Sequence, residues 1–300
     1  MRFHGLDLNL LVALNALLTE RNISRAAERV CLSQPAMSNA LARLRDYFND
    51  ELLSTVGRQL VLTPRAEALL EPVREVLMRI ESTISARWSF DPATEARSFN
   101  IQLSDYSATV FLPALIQRLS KEAPKVRLNL LPVDGRQSDV IEQGEVDLLI
   151  MPSQYVLAQH PTTPLFEERY VCVTWDEHPE IRTELTVEAY LAAGHVIAHF
   201  GAKAPVFEGW FFERYGVSRR IEITAPTLSS LPRFVVGTPR LATVHRRVAL
   251  ECQKSLPIKI WELPFEMPKL VQTMQWHRHR TNDASLSWLR QCAEEVGRAI

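Results

Sequence analysis

The segment RAAERVCLSQPAMSNALARLR, residues 25–45, constrains this chain more than any other stretch. Apolar residues recur at helical spacing on both sides of Leu32-Ser33. Ser33 is a good N-cap, and Pro35 is tolerated in the first turn that follows it. Two helices joined by so short a turn must pack against one another. On a helical wheel Met37, Ala40, Leu41, Leu44 and Phe48 share the face that turns to the core. Pro35, Ser38, Asn39 and Ala42 fall opposite, flanked by Gln34, Arg43 and Arg45. A solvated helix face usually carries Glu and Lys, and this one is small and uncharged. A helix that approaches base edges needs such a face. Asn and Gln pair with adenine, Ser with several bases, and Arg with guanine or phosphate.

The flanks extend the pattern. Residues 8–20 place Leu10, Leu11, Leu14, Leu17 and Leu18 on one helical stripe, with Asn22 ending that helix and Ser24 capping the next, which runs to about Cys31. Asn49 suits the left-handed residue that ends the second helix of the pair. Residues 52–63, LLSTVGRQLVLT, read as a hairpin turning at Val56-Gly57. A helix pair followed by a ribbon is a winged helix-turn-helix. Arg58 near the ribbon tip can reach a minor groove, and Arg65 can hold a phosphate. All basic charge in the first ninety residues is Arg, which suits bidentate contacts.

From Pro64 a long helix carries Ala66, Leu69, Leu70, Val73, Val76, Leu77, Ile80 and Ile84 at three- and four-residue steps. That stripe suggests pairing with a second copy; packing on its own domain is the plainer alternative. The helix stops before Ser89-Phe90-Asp91-Pro92, a hinge. From Phe99 strands and helices alternate (FNIQLS, VRLNLLPV, EVDLLIMP, RYVCVTW, HVIAHF, RRIEITA, RLATV, KIWEL). This implies parallel-rich sheets with crossover helices, long enough for two lobes. Ligands in such folds bind beyond the carboxyl ends of the strands.

Composition excludes several classes. The formal net charge is −1, so any hold on nucleic acid must be local rather than a global field. The apolar N-terminal stretch is broken by Asp7, Asn9, Asn15 and Glu20 and reads as neither signal peptide nor membrane span. Cys31, Cys172, Cys252 and Cys292 are isolated, as expected of free thiols in a reducing cytoplasm. There is no G-x-S-x-G, P-loop or G-x-G-x-x-G to support an enzyme, and no leader to support an exported solute-binding protein. His277 and His279 in QWHRHR would share a face if that stretch were a strand. The sequence places no Cys or carboxylate beside them, so no metal site is expected.

The sequence AAERVCLSQPAMSNALARL followed by GRQLVLTP resembles the signature of LysR-type transcriptional regulators over about residues 6–66. FDP at 90–92, LSD at 103–105, GEVDLLI at 144–150, YVCV with HP at 178–179, and LATV at 241–244 extend the resemblance along the chain. They point to the branch of nodulation-gene regulators and regulators of aromatic-compound breakdown. The resemblance implies an N-terminal winged helix-turn-helix (1–63), a dimerising linker helix and hinge (64–92), and a two-lobed α/β effector domain like periplasmic binding proteins (93–300). Lobe one would comprise 93–165 and 267–300, and lobe two 166–266. Carried over by position, contacts to promoter DNA fall on Ser33, Gln34, Pro35, Ser38, Asn39 and Arg43, with Arg58 on the wing. Ser54-Thr55 replace the Arg that many members carry after Leu-Phe in the first wing strand, and Asn49 stands where the family often has Gly.

The resemblance also places a small-molecule inducer between the lobes, with no cofactor. Candidates for its pocket are Ser104, Asp105, Tyr106, Asp134, Gly135, Met151, His199, Phe200, Thr227, Leu228 and Trp276. Asp105 disfavours a strongly anionic ligand unless it accepts from a ligand hydroxyl, which points to a phenol or hydroxylated aromatic. The alternatives are that Asp105 merely caps its helix, that the effector is a non-aromatic carboxylate, or that the protein represses rather than activates. A homodimer through the linker helix, a tetramer built from dimers, contact with RNA polymerase and a cytoplasmic location complete the expectation.

Overall fold

The computed structural model describes residues 2–3, 5–57, 59–84, 89–135, 137–199, 211–212, 214, 216 and 218–300. Contacts divide the chain into two compact units, Met1–Ala86 and Arg87–Ile300.

The first unit opens with a short antiparallel pair, β1 (Arg2–Phe3) and β2 (Leu6–Asp7), which the sequence pattern does not announce. Helix α1 (Leu10–Glu20) buries Leu14, Leu17 and Leu18 and ends at Arg21 in the left-handed region. Helix α2 (Ile23–Arg29) is capped by Asn22, whose side chain accepts from Arg25 N. The expected cap at Ser24 is therefore corrected: Asn22 begins the new helix and Ser24 lies inside it. Asn carries a similarly short acceptor two residues earlier. After a turn in which Cys31 takes a positive φ of 55°, α3 (Gln34–Phe48) starts at Ser33 and ends at Asn49 in the left-handed region. Strands β3 (Leu53–Val56) and β4 (Gln59–Leu62) form the hairpin, and α4 (Pro64–Ile84) follows.

One polar network closes this unit. Asp50, just past α3, accepts from Leu52 N (2.7 Å) and from Thr63 Oγ1 (2.6 Å). Thr63 in turn caps α4 by accepting from Ala66 N. Those bonds, Thr63 first, hold the Asp50 carboxyl below the usual carboxylate range. The first half of α4 packs on its own unit, with Ala66 and Val73 buried, so the stripe is not wholly a partner surface. Val76 and Ile80, farther along, stay 44% and 39% exposed.

The second unit holds two five-stranded mixed sheets. The first runs β6 (Arg127–Pro132), β5 (Ser98–Leu103), β7 (Leu148–Pro152), β14 (Leu270–Gln275), β8 (Thr162–Glu168). The second runs β11 (Arg220–Ala225), β10 (Gly194–Ala198), β12 (Arg240–His245), β9 (Tyr170–Trp175), β13 (Ile258–Trp261). β5–β6, β5–β7, β10–β11 and β10–β12 are parallel, while β14 and β9 pair antiparallel with both neighbours. The sheets are thus less parallel than the strand–helix alternation suggests, because β8–β9 and β13–β14 carry the chain between the lobes without a crossover helix. The expected lobe boundary at 165/166 cuts through β8; that strand stays in the first sheet to Glu168, and Arg169 begins the passage to the second.

Helices α5 (Asp105–Val110), α6 (Leu112–Glu122) and α7 (Gln137–Glu142) belong to the first lobe, with α8 (Val187–Ala192), α9 (Leu231–Phe234) and α10 (Arg246–Gln253) in the second. The C-terminal α11 (Ala284–Ala299) returns to the first lobe and lies on β8. An added Cβ at Gly297 would stand 2.6 Å from Leu165 O, so only glycine admits this approach. The stretch QWHRHR is not a strand: β14 ends at Gln275, and Arg278–Arg280 is a 3-10 turn. The alternate-face argument for His277 and His279 does not apply. No helix among the described residues is long and apolar enough to cross a membrane.

Candidate functional site

The face of α3 stands as its spacing predicts. Met37, Ala40, Leu41 and Leu44 are buried, and Phe48 is half-buried against the same core. Ser33, Gln34, Pro35, Ser38, Asn39, Ala42 and Arg43 are exposed. Ser33 Oγ accepts from Ala36 N at 3.3 Å, fixing the start of the helix and the height at which this face begins. Arg43 is held by Asp7 (3.2 Å), so β2 steers the guanidinium. Asp7 sits below the usual carboxylate range through its bond from Asn9 N and then through Arg43.

Arg45, expected to flank the face, turns away from it. It donates to Glu51 O and Leu53 O and pairs with the Glu51 carboxylate, bracing the start of the wing. Arg65 is exposed in the first turn of α4, its guanidinium 5.9 Å from the Phe48 ring. Arg58 lies outside the described residues. Val56 beside the wing turn is 63% exposed.

In the second unit the pocket candidates follow the carboxyl ends of parallel strands. β5 leads into Ser104-Asp105, β6 toward Asp134-Gly135, β10 into His199 and β11 toward Thr227-Leu228. Ser104 caps α5, its Oγ accepting from Ser107 N. Asp105 does not cap. Its two carboxylate oxygens accept from Leu228 N (3.1 Å) and Ser229 N (2.7 Å), bonds that cross from the first lobe to the second. Thr227 Oγ1 lies 2.6 Å from Ser230 Oγ in the same loop. Asp134 accepts from Gln102 Nε2 at 3.4 Å, Gly135 has a positive φ of 83°, and His199 is exposed. Phe200 lies outside the described residues.

Three candidates are buried. Tyr106 is fully buried, donates its hydroxyl to Glu168 Oε2 at 2.5 Å, and stacks on His245 with ring centroids 3.9 Å apart. It forms a floor joining the lobes. Trp276 packs in the core under the Arg290 guanidinium and donates to Thr281 Oγ1. Met151 is buried against Val140 and Ile141. Each is large and apolar enough for either role, and only the fold decides. The Leu228 side chain is likewise buried, while its backbone N–H meets Asp105.

Sequence reasoning missed the groups that hold this floor. Glu168 is 2% exposed and also accepts from Arg247 (3.1 Å) and Arg169 N. Burial, followed by the Glu168 charge, pushes the Tyr106 hydroxyl well above its ordinary pKa. Burial lowers His245 to about 3 and, as the largest cause, His195 to about 4, so both rings stay neutral. These residues lie far apart in sequence and carry no motif. A separate concavity of about 380 Å³ opens near the passage between the lobes, lined by Arg169, Arg246, Arg247, Lys269, Leu250, Glu167 and Glu168. Finally, Glu142 and His160 lie beside His277, contrary to the expectation that no carboxylate does.

Comparison with known proteins matches residues 8–67 to the family described as bacterial regulatory helix-turn-helix protein, lysR family, and residues 92–298 to the LysR substrate binding domain. The chain is 45% identical over 291 residues to nodulation protein D of Bradyrhizobium sp. (strain ANU 289), covering 97% of this chain and 86% of that one. Among solved structures, a probable transcriptional regulator of Pseudomonas aeruginosa is 28% identical with a TM-score of 0.66, covering 97% of both chains. A full-length OxyR variant from the same organism gives a TM-score of 0.76 at 18% identity, covering 99% of this chain and 98% of that one, a likeness of fold alone.

Proposed function

The chain belongs to the LysR family of DNA-binding transcriptional regulators, and on that premise we propose how it works: the exposed face of α3 reads promoter DNA, and a small hydroxylated aromatic bound between the effector lobes switches it. Such a protein is a regulator and not an enzyme. Ser33, Gln34, Pro35, Ser38, Asn39 and Arg43 contact bases and phosphates, Arg58 extends the contact from the wing, and Arg65 holds a phosphate. A second copy covers Val76 and Ile80 on α4, and pairs of dimers form the tetramer. The dimer then reads two half-sites about one helical turn or more apart. Regulation is activation in the cytoplasm, with RNA polymerase as a further partner.

The observation that carries the ligand class is the pair of bonds from Leu228 N and Ser229 N to Asp105. Two backbone N–H groups facing a cleft make an anion site. Here a carboxylate of the chain itself occupies it. A carboxylate ligand aimed at the same amides must displace a like charge, whereas a phenolic hydroxyl can donate to a free lone pair on Asp105.

Thermal unfolding against phenols, hydroxylated aromatic acids, flavonoids and aliphatic dicarboxylates tests this. A true ligand at a hundredfold excess over its Kd stabilises the folded state by about 2.7 kcal/mol. Stabilisation by hydroxylated aromatics alone supports the reading, with Asp105→Asn admitting the dicarboxylates. Stabilisation only by aliphatic acids rejects the ligand class and leaves the family assignment untouched.

A further inference from the structure

Three side chains of the first lobe converge outside the residues assigned above. Glu142 ends α7, His160 precedes β8, and His277 follows β14. His160 Nε2 lies 3.0 Å from Glu142 Oε1, and His277 Nε2 lies 3.9 Å from Glu142 Oε2. One ligand atom from each residue falls within 4.8 Å of the other two. Both imidazoles are completely buried, while Glu142 keeps 21% exposure and leaves a way in.

The His277 Nε2 atom is buried with no hydrogen-bond partner. A buried polar atom left so costs about 1–3 kcal/mol and calls for an explanation. Oε1 of Glu142 already accepts from Gln159 and lies against His160. Oε2 faces His277 at a distance too long for a hydrogen bond. A tetrahedral zinc ion with bonds of about 2.0–2.1 Å sets its ligand atoms about 3.3 Å apart. The 3.0 Å from His160 Nε2 to Glu142 Oε1 is close to that spacing, and the 3.9 Å from His277 Nε2 to the other oxygen, Oε2, is somewhat longer.

We propose that Glu142, His160 and His277 bind a divalent ion of the zinc class, with water completing the shell. Two imidazoles and a carboxylate, with no thiolate, form an N/O donor set that suits zinc. The protons balance by tautomer exchange. His160 Nδ1 now accepts from Arg278 N (3.4 Å) and His277 Nδ1 from His279 N (3.2 Å), so in each ring the proton sits on Nε2. On loading, that proton moves to Nδ1 and the Nε2 lone pair takes the ion. Nδ1 then bears the hydrogen, and the backbone N–H groups of Arg278 and His279 must turn from it. Both contacts are long, at the weak end for N–H donors, so a small shift of residues 277–280 releases them. The loaded ion ties α7 to the start of β8 and the exit of β14.

The test uses the chelator-stripped full chain, equilibrium dialysis against zinc and metal analysis. The expected result is one zinc per chain, with at least tenfold weaker binding in Glu142→Gln and His277→Gln. Glu184→Gln, at an exposed carboxylate elsewhere, binds as the parent does. Cobalt loading gives the visible absorption of a four-coordinate ion, lost in the same two variants. Should those variants fail to fold, amide hydrogen exchange of the parent with and without zinc decides, since Arg278 and His279 must change protection. No retained zinc, equal zinc in the variants as an adventitious ion gives, or unchanged exchange at 278–279 overturns the proposal.

Discussion

Two serines start two helices in the same way and lead to opposite outcomes. Ser33 Oγ accepts from Ala36 N and Ser104 Oγ from Ser107 N, both at 3.3 Å. After Ser33 the chain shows its small polar residues to solvent. After Ser104 it locks them away: Asp105 is bonded across the lobes and Tyr106 is buried on Glu168 and His245. A reading surface must stay open because its partner is outside. A switch must hold two bodies together until something changes their balance. The same local signal therefore serves exposure in one unit and closure in the other, and only tertiary context separates them.

Acid should separate the units most strongly. His195 and His245 have folded pKa values of about 4 and about 3, below the ordinary 6.5, and the described residues of the first unit include no histidine. Their stabilisation is whole above about pH 6.5 and falls as pH drops toward 4, because the unfolded rings take protons first. Every Trp lies beyond residue 86, so Trp fluorescence follows the second unit alone. Its melting temperature should fall between pH 7 and 4.5 by more than the helical signal of the first unit, and equal losses would break the comparison.

Next in size is Tyr106→Phe. It leaves the buried Glu168 carboxylate without one donor and should destabilise the second unit by about 1.5–3 kcal/mol in denaturant titration. The smallest effect sharpens the parallel between the caps: Ser33→Ala and Ser104→Ala should each destabilise their own unit by about 1 kcal/mol. Only Ser104→Ala should also alter the ligand response, read by the same thermal panel.

The two regions differ in legibility for a physical reason. The α3 face was readable because one helix carries all of it; the period of the helix alone divides Met37 and Leu41 from Ser38 and Asn39. The winged hairpin was equally local. Arg45 escaped because its partners, Glu51 and Leu53, depend on how the wing folds back. The cleft candidates, such as Ser104 and Thr227, come from the family resemblance; strand–helix alternation alone implies only that a ligand sits beyond strand ends. The bonds from Leu228 and Ser229 to Asp105 span more than a hundred residues and leave no periodic trace. Burial of Tyr106 and Trp276 was not legible either, since an aromatic side chain suits a core and a pocket equally. The convergence of Glu142, His160 and His277 needed β14 to end at Gln275, an end that the sequence pattern does not mark.

The most direct test of the open reading face compares the parent with Asn39→Ala on duplexes selected from a random pool by the parent. Asn39 is exposed and bears no core contact, so the fold should be unchanged. The selected motif should be an inverted repeat, and Asn39→Ala should lose about 1–3 kcal/mol of discrimination at one symmetric base-pair position. Affinity for random DNA, and its salt dependence, should stay near the parent's. Equal loss on selected and random duplexes, or an unchanged motif, would contradict the claim that this face of α3 reads the sequence.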